Sequence, residues 1–426
     1  MLSFQNEIID YQNEIRDFKN KIRDFKNKIK DFQNKIRDFI YKKIGLAVLP
    51  AVVLLLSGCA LSINEQGQET KDGVSCSEDV GETVPDAGEG TEALAETDGY
   101  YYRALSEDGE RTLYTQMLVC MQQMGQDETL LCGDEDLLYR IFCCVLADHP
   151  ELFYVTGYTY TKAVSGDESG HMIFSPAYSM SKDDVARTKS RIDEYVSGCF
   201  LNLPDGDDYE RIRYLYEYLI CHTEYDLQAP ENQNICSVFL YGRSVCQGYA
   251  KAFQYLCTKA GVEASFVTGR IRESGYGHAW NLVNSNGAYY YVDATWGDVS
   301  YTMDGGNVPG GPEVNYEYLC VTTEQITRTH EIDLSVVNMP ECTASDDNYF
   351  VREQAFFHSF DEGALDALFA RHAGEFVTFR CETADVYSLF YEYLIGKEHI
   401  FDYMDSDAGV SYSDNEETLT FAFWLP

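Results

Sequence analysis

The sequence predicts an α+β fold, and three observations predict it. Behind Ser244-Val245-Cys246-Gln247-Gly248, apolar residues recur at helical spacing (Tyr249, Phe253, Leu256, Cys257). Residues 262–268 read as a strand. Two alternating runs, 276–283 and 288–293, flank Asn284-Ser285-Asn286-Gly287. Asn-Gly between such runs is the strongest short-range signal for a hairpin, and so for antiparallel pairing.

The chain opens on a repeat. Phe4, Tyr11, Phe18, Phe25, Phe32 and Phe39 alternate with Ile8, Ile15, Ile22, Ile29 and Ile36. Steps of three and four make a heptad seam, the pattern of a short coiled coil. The near-identity of the repeats favours an expanded extension upstream of the true start. Tyr41-Lys42-Lys43 then supplies a positive flank to the 13-residue apolar run Ile44–Leu56, too short to span a bilayer and suited to export. Leu56-Ser57-Gly58-Cys59 resembles a bacterial lipobox, which implies that Cys59 is lipidated and that residues 1–58 are removed. Residues 59–99 hold 11 acids and one Lys, the composition of a disordered, self-repelling tether.

Folded structure is expected from about Tyr100. Residues 110–125 and 134–148 have helical spacing, with Pro150 stopping the second. Leu152-Phe153-Tyr154-Val155 reads as a strand. Ser181 with Asp184 opens a helix of the capping-box type to about Ser197, and another runs from Asp207 to about Cys221. Residues 340–426 read as a separate small α+β unit: helix 361–372, strand 376–381, helix 385–395 and strand 419–424.

The charge balance is strongly acidic: 70 acids face 32 bases, a net charge of −38 over 426 residues. Residues 1–58 carry a net +4, so the rest carries −42. Nothing here neutralises a run of phosphates, which argues against nucleic acid as a partner. No run approaches the ~20 apolar residues of a membrane span, which excludes a multispan protein. No C-x-x-C, H-E-x-x-H or phosphate-binding Gly loop occurs, so no metal or nucleotide cofactor is expected. A loose calcium-loop resemblance at Asp405-Ser406-Asp407 with Glu416 fails at Gly409 and Val410. Of the 14 cysteines, 12 remain beside Cys59 and Cys246; several lie in apolar runs (Cys120, Cys143, Cys144, Cys257, Cys320), and they read mainly as buried hydrophobes.

Cys246 falls at a helix N-terminus, where the macrodipole favours a thiolate. If Ser285 faces Ala288, Trp280 faces Asp293 and His278 lies one diagonal step from Asp293 on the same face. A tighter turn, with Asn284 facing Gly287, sets His278 directly opposite Asp293. Cysteine, histidine and aspartate in this order suit thiol catalysis: thiolate attack on an acyl carbon, imidazole as base and acid, carboxylate fixing the tautomer.

The stretch SVCQGYAKAFQYLCTKAGVEASFVTG…GHAWNLV…YYYVDATWGD resembles the bacterial transglutaminase-like domain, a papain-like superfamily. The resemblance extends upstream through DHPELFYV and YLICHTEYD and downstream through YEYLCVTTEQI, covering about 100–335. It implies a Cys-bearing helix packed on an antiparallel sheet, with Cys246 as nucleophile, His278 as general base and acid, and Asp293 as orienting carboxylate. Trp280, Trp296, Gln247 and Tyr249 are groove candidates. The implied substrate is a peptide, a protein or cell-wall material, reached from the outer face of the membrane. A non-catalytic binding or scaffold lipoprotein that retains the fold is the alternative.

Overall fold

The computed structural model describes residues 99–163, 170–298, 314–372, 376–403 and 411–424. The heptad repeat, the signal segment, Cys59, the tether up to residue 98 and residues 404–410 lie outside the described residues.

Side-chain caps set the helix starts that the sequence marks. Asp134 accepts from the N–H groups of Asp136 and Leu137 at the head of helix Glu135–Asp148. Ser181 caps Lys182–Phe200 and Asp207 caps Asp208–Cys221, each accepting from the third helical N–H. Leu152-Phe153-Tyr154 is not a strand, which corrects the sequence reading. Val155 N–H donates to the carbonyl of Leu152, closing a turn that buries all three side chains. The strand begins at Val155 and runs to Ala163. It pairs antiparallel with His171–Tyr178, which also pairs with Glu128–Leu130.

The central layer is a four-stranded antiparallel sheet in the order 288–292, 277–285, 264–271, 330–332. Helix Cys246–Lys259 packs against its two inner strands. Asn281, fully buried, ties the layers together by donating to the carbonyls of Ala250 (2.9 Å) and Ser265 (3.2 Å). The hairpin closes with Ser285 opposite Ala288, and Asn286 and Gly287 both take positive φ (51° and 88°), the requirement of a type I′ turn.

Residues 350–423 build a second hydrophobic cluster around Phe350, Phe357, Phe379, Phe390, Phe421 and Phe423. Its sheet runs 356–357, 376–381, 420–424, 411–415, covered by helices Glu362–Arg371 and Ala384–Tyr391. The expected helix 385–395 is regular to Tyr391 and widens into a π turn over Glu392–Gly396. Buried Arg380 donates through Nη2 to the carbonyl of Glu317 (2.6 Å), and Thr420 donates to the Glu317 carboxylate (2.5 Å), joining this cluster to the segment before strand 330–332.

Candidate active site

Cys246 is the first residue of its helix. Val245 before it contributes no side-chain cap, so the first-turn dipoles are not answered by a capping side chain. A Cβ at Gly248 would collide with the hydroxyls of Ser237 and Ser244, which bond each other at 2.6 Å. The small residue beside Cys246 is therefore a packing requirement.

His278 is the second residue of strand Gly277–Ser285, and Asp293 follows the partner strand as the N-cap of the short helix Ala294–Gly297. The Nε2–H of His278 donates to Oδ2 of Asp293 at 2.7 Å, and both residues are buried. The other oxygen, Oδ1, accepts from the backbone N–H groups of Thr295 (2.9 Å) and Trp296 (3.2 Å). Of the two registers open to the sequence, the looser one holds: Asn281 opposes Val292, one step before Trp280 and Asp293. The helix bearing Cys246 contacts both the His278 strand and the short helix capped by Asp293. Cys246 shares its core cluster with Ala279 and Ala294, the residues that follow the histidine and the aspartate.

A second histidine belongs to this site and is absent from the sequence reading. The Nε2 of His330, fully buried on the edge strand, lies 3.2 Å from the same Oδ2 of Asp293. Its Nδ1 is 2.7 Å from Oγ1 of Thr329. Burial lowers the His330 pKa from its ordinary value despite the opposing pull of Asp293. Burial pushes the Asp293 carboxyl upward, but the charge and hydrogen bond of His278, with those of His330, outweigh it and hold the group well below the usual carboxylate range.

Among the described residues, His278, Asp293 and His330 are the one trio of potential metal ligands whose donor atoms all lie within 4.8 Å. Both Nε2 atoms and Oδ2 are engaged with one another, so a metal there would have to replace both hydrogen bonds. The trio reads as a hydrogen-bond network.

The groove candidates divide. Trp280 is fully buried, its ring 5.9 Å from His278 and 4.9 Å from His330, and presents no surface to a groove. Tyr249 is likewise buried, its hydroxyl donating to the carbonyl of Thr223 and to Asp298 (both 2.8 Å), so it serves the core. Both side chains lie in the core. Gln247 is almost fully buried. Trp296, half-buried, packs on His330 at 4.7 Å and also lines a cavity of about 270 Å³ with Tyr316, Glu317, Phe376 and Trp424.

Residues 201–294 match the family model of the transglutaminase-like superfamily, a range that encloses Cys246, His278 and Asp293. The chain carries a transglutaminase-like domain. It is similar to the kyphoscoliosis peptidases of Homo sapiens (32% identical over 124 residues) and Mus musculus (31% over 124). Each match covers 26% of this chain and 18% of the relative, so the chain spans under a fifth of their length. Among solved structures it resembles a TGase (14% identity, TM-score 0.25, 37% of this chain and 46% of that one). It also resembles the periplasmic domain of TgpA from Pseudomonas aeruginosa (16% identity, TM-score 0.20, 30% and 55%). No helix among the described residues is long and apolar enough to cross a membrane.

Proposed function

We propose that this protein is a thiol enzyme acting on an amide or acyl bond of a peptide, protein or cell-wall substrate, held to the outer face of the membrane by a lipid on Cys59. The observation that carries the reading is the buried 2.7 Å bond from His278 Nε2 to Asp293, on a strand packed against the helix that begins at Cys246. With Nε2–H committed to the carboxylate, Nδ1 is the nitrogen left to act as base. It takes the Cys246 thiol proton as Sγ attacks the acyl carbon, and the electron pair of the C=O bond moves onto oxygen. Collapse of that intermediate expels the amine, which takes the proton from Nδ1, and leaves a thioester on Cys246. Water or an amine then accepts the acyl group. The peptidase name of the curated relatives favours water.

The test is incubation of the chain from residue 60 onward with a peptide library, with and without a primary amine, read by mass spectrometry. Products formed by the wild type and lost in Cys246→Ala support the reading. Identical product lists from the two proteins overturn it. Burial of all three residues favours the alternative, a binding or scaffold lipoprotein, and peptides retained without turnover would bear that out.

A further inference from the structure

We infer that His330 is a positioning residue of this site, holding the Asp293 carboxylate so that His278 keeps the tautomer that presents Nδ1 to Cys246. The inference rests on the reading of Cys246, His278 and Asp293 as an acyl-transfer site and adds a fourth participant and a fifth, Thr329.

Asp293 is completely buried, so water does not complete its hydrogen bonding. Oδ1 is filled by two backbone N–H groups, and Oδ2 is shared by His278 and His330. Removing His330 leaves a buried carboxylate one donor short, which favours the protonated acid. A protonated Asp293 donates instead of accepting. It would then hold His278 Nε2 as an acceptor and move the ring proton to Nδ1, the wrong nitrogen for a base.

The tautomer of His330 follows from its partners. A neutral ring carries one proton, and facing a carboxylate that proton sits on Nε2. Nδ1 is then an acceptor; of the two acceptors within reach of the Thr329 hydroxyl, Nδ1 at 2.7 Å and the Ile326 carbonyl at 3.4 Å, the nearer takes its proton. The backbone places the ring accurately. Gly269 pairs with His278 on one side and Ile332 on the other, while Ile271 pairs with His330. Two residues along the edge strand return a side chain to the same face, so His330 and His278 project from one face of the sheet. A Cβ at Gly269 would collide with the Trp280 ring and with the Glu331 carbonyl, so glycine there allows the edge strand and the indole to close around the histidines.

The titratable groups facing Asp293 are His278 and His330, with the hydroxyls of Tyr216 and Tyr318, whose pKa values burial pushes far up. The experiment is therefore the rate of iodoacetamide alkylation of Cys246 against pH in the wild type, His330→Phe and His330→Gln. Phenylalanine keeps the ring volume without the donor, and glutamine returns an N–H near the place of Nε2. The acid limb is expected to move up by about one pH unit in His330→Phe, roughly a ten-fold rate loss on that side, and to return in His330→Gln. Thr329→Val, which removes only the hydroxyl on Nδ1, is expected to move the limb the same way by less, and serves if His330→Phe does not fold. A limb unmoved in the folded variants, whatever their melting temperatures, overturns the role. If wild-type Cys246 itself shows no dependence on His278, the acyl-transfer reading falls with it. If that dependence stands and only the His330 effect is missing, this inference alone falls.

Discussion

His278 and Asp293 meet at 2.7 Å although the hairpin register sets them diagonal, with Trp280 at the position opposite the aspartate. The diagonal is bridged because Asp293 leaves the strand as an N-cap: its Oδ1 is fixed by the backbone of the next turn while Oδ2 turns toward the histidine. The carboxylate is thus oriented by main chain before either imidazole reaches it.

Asp293→Ala removes the acceptor of two buried ring N–H groups and two backbone N–H groups. A loss of about 3–5 kcal/mol is expected, the usual cost of breaking a buried charged network. Urea unfolding checks it. Asp293→Asn, which keeps the shape but reverses one hydrogen bond, should lower the rate of any thiol chemistry by roughly 10³–10⁴-fold with a smaller stability loss.

Acid should destabilise the protein in two stages. The depressed pKa of His330 means that the unfolded chain takes up a proton the folded site refuses. That contribution is complete above about pH 6.5 and is lost as pH falls through the folded value. The depressed Asp293 adds a contribution complete above about pH 4 and lost below it. Urea midpoints should therefore decline from pH 7 to pH 5 in the wild type and decline less in His330→Gln. Equal slopes would contradict the assignment.

Gly269→Ala should cost about 1–3 kcal/mol by overpacking, since the new methyl meets the Trp280 ring and the Glu331 carbonyl. Because the displaced groups hold the histidines, Cys246 reactivity should fall along with the melting temperature. The same substitution at exposed Gly109, where nothing lies within contact distance of a new Cβ, should spare both.

The thiols should separate by environment. Burial pushes Cys120 and Cys143 up to about 11, and Cys144, Cys199, Cys236, Cys342 and Cys381 up to about 12. At pH 7.5, iodoacetamide should label Cys246 and the exposed Cys221 in the native protein and reach these seven only in denaturant. Peptide mapping with and without urea reads the difference.

What the sequence made legible was local. Asp134, Ser181 and Asp207 announce helix starts because capping acts within three residues, and Asn286-Gly287 announces a hairpin because only certain residues accept its dihedrals. Leu152-Phe153-Tyr154 misleads because an apolar run is buried equally well in a turn as in a strand. Trp280 alternates onto the His278 face, as the pattern requires, but the edge strand and Gly269 shut that face from solvent. His330 gave no signal at all. Its strand is three residues long, too short for periodicity, and it reaches Asp293 across 37 residues through pairing that only the folded sheet defines.

The most direct test of the central claim is the alkylation rate of Cys246 by iodoacetamide from pH 4 to 9, read by mass spectrometry, in the wild type and in His278→Ala. A thiolate reactive well below the free-thiol value of about 8.5, and lost with His278, is the expected result. A profile like that of an ordinary buried thiol, unchanged by the substitution, would contradict the account.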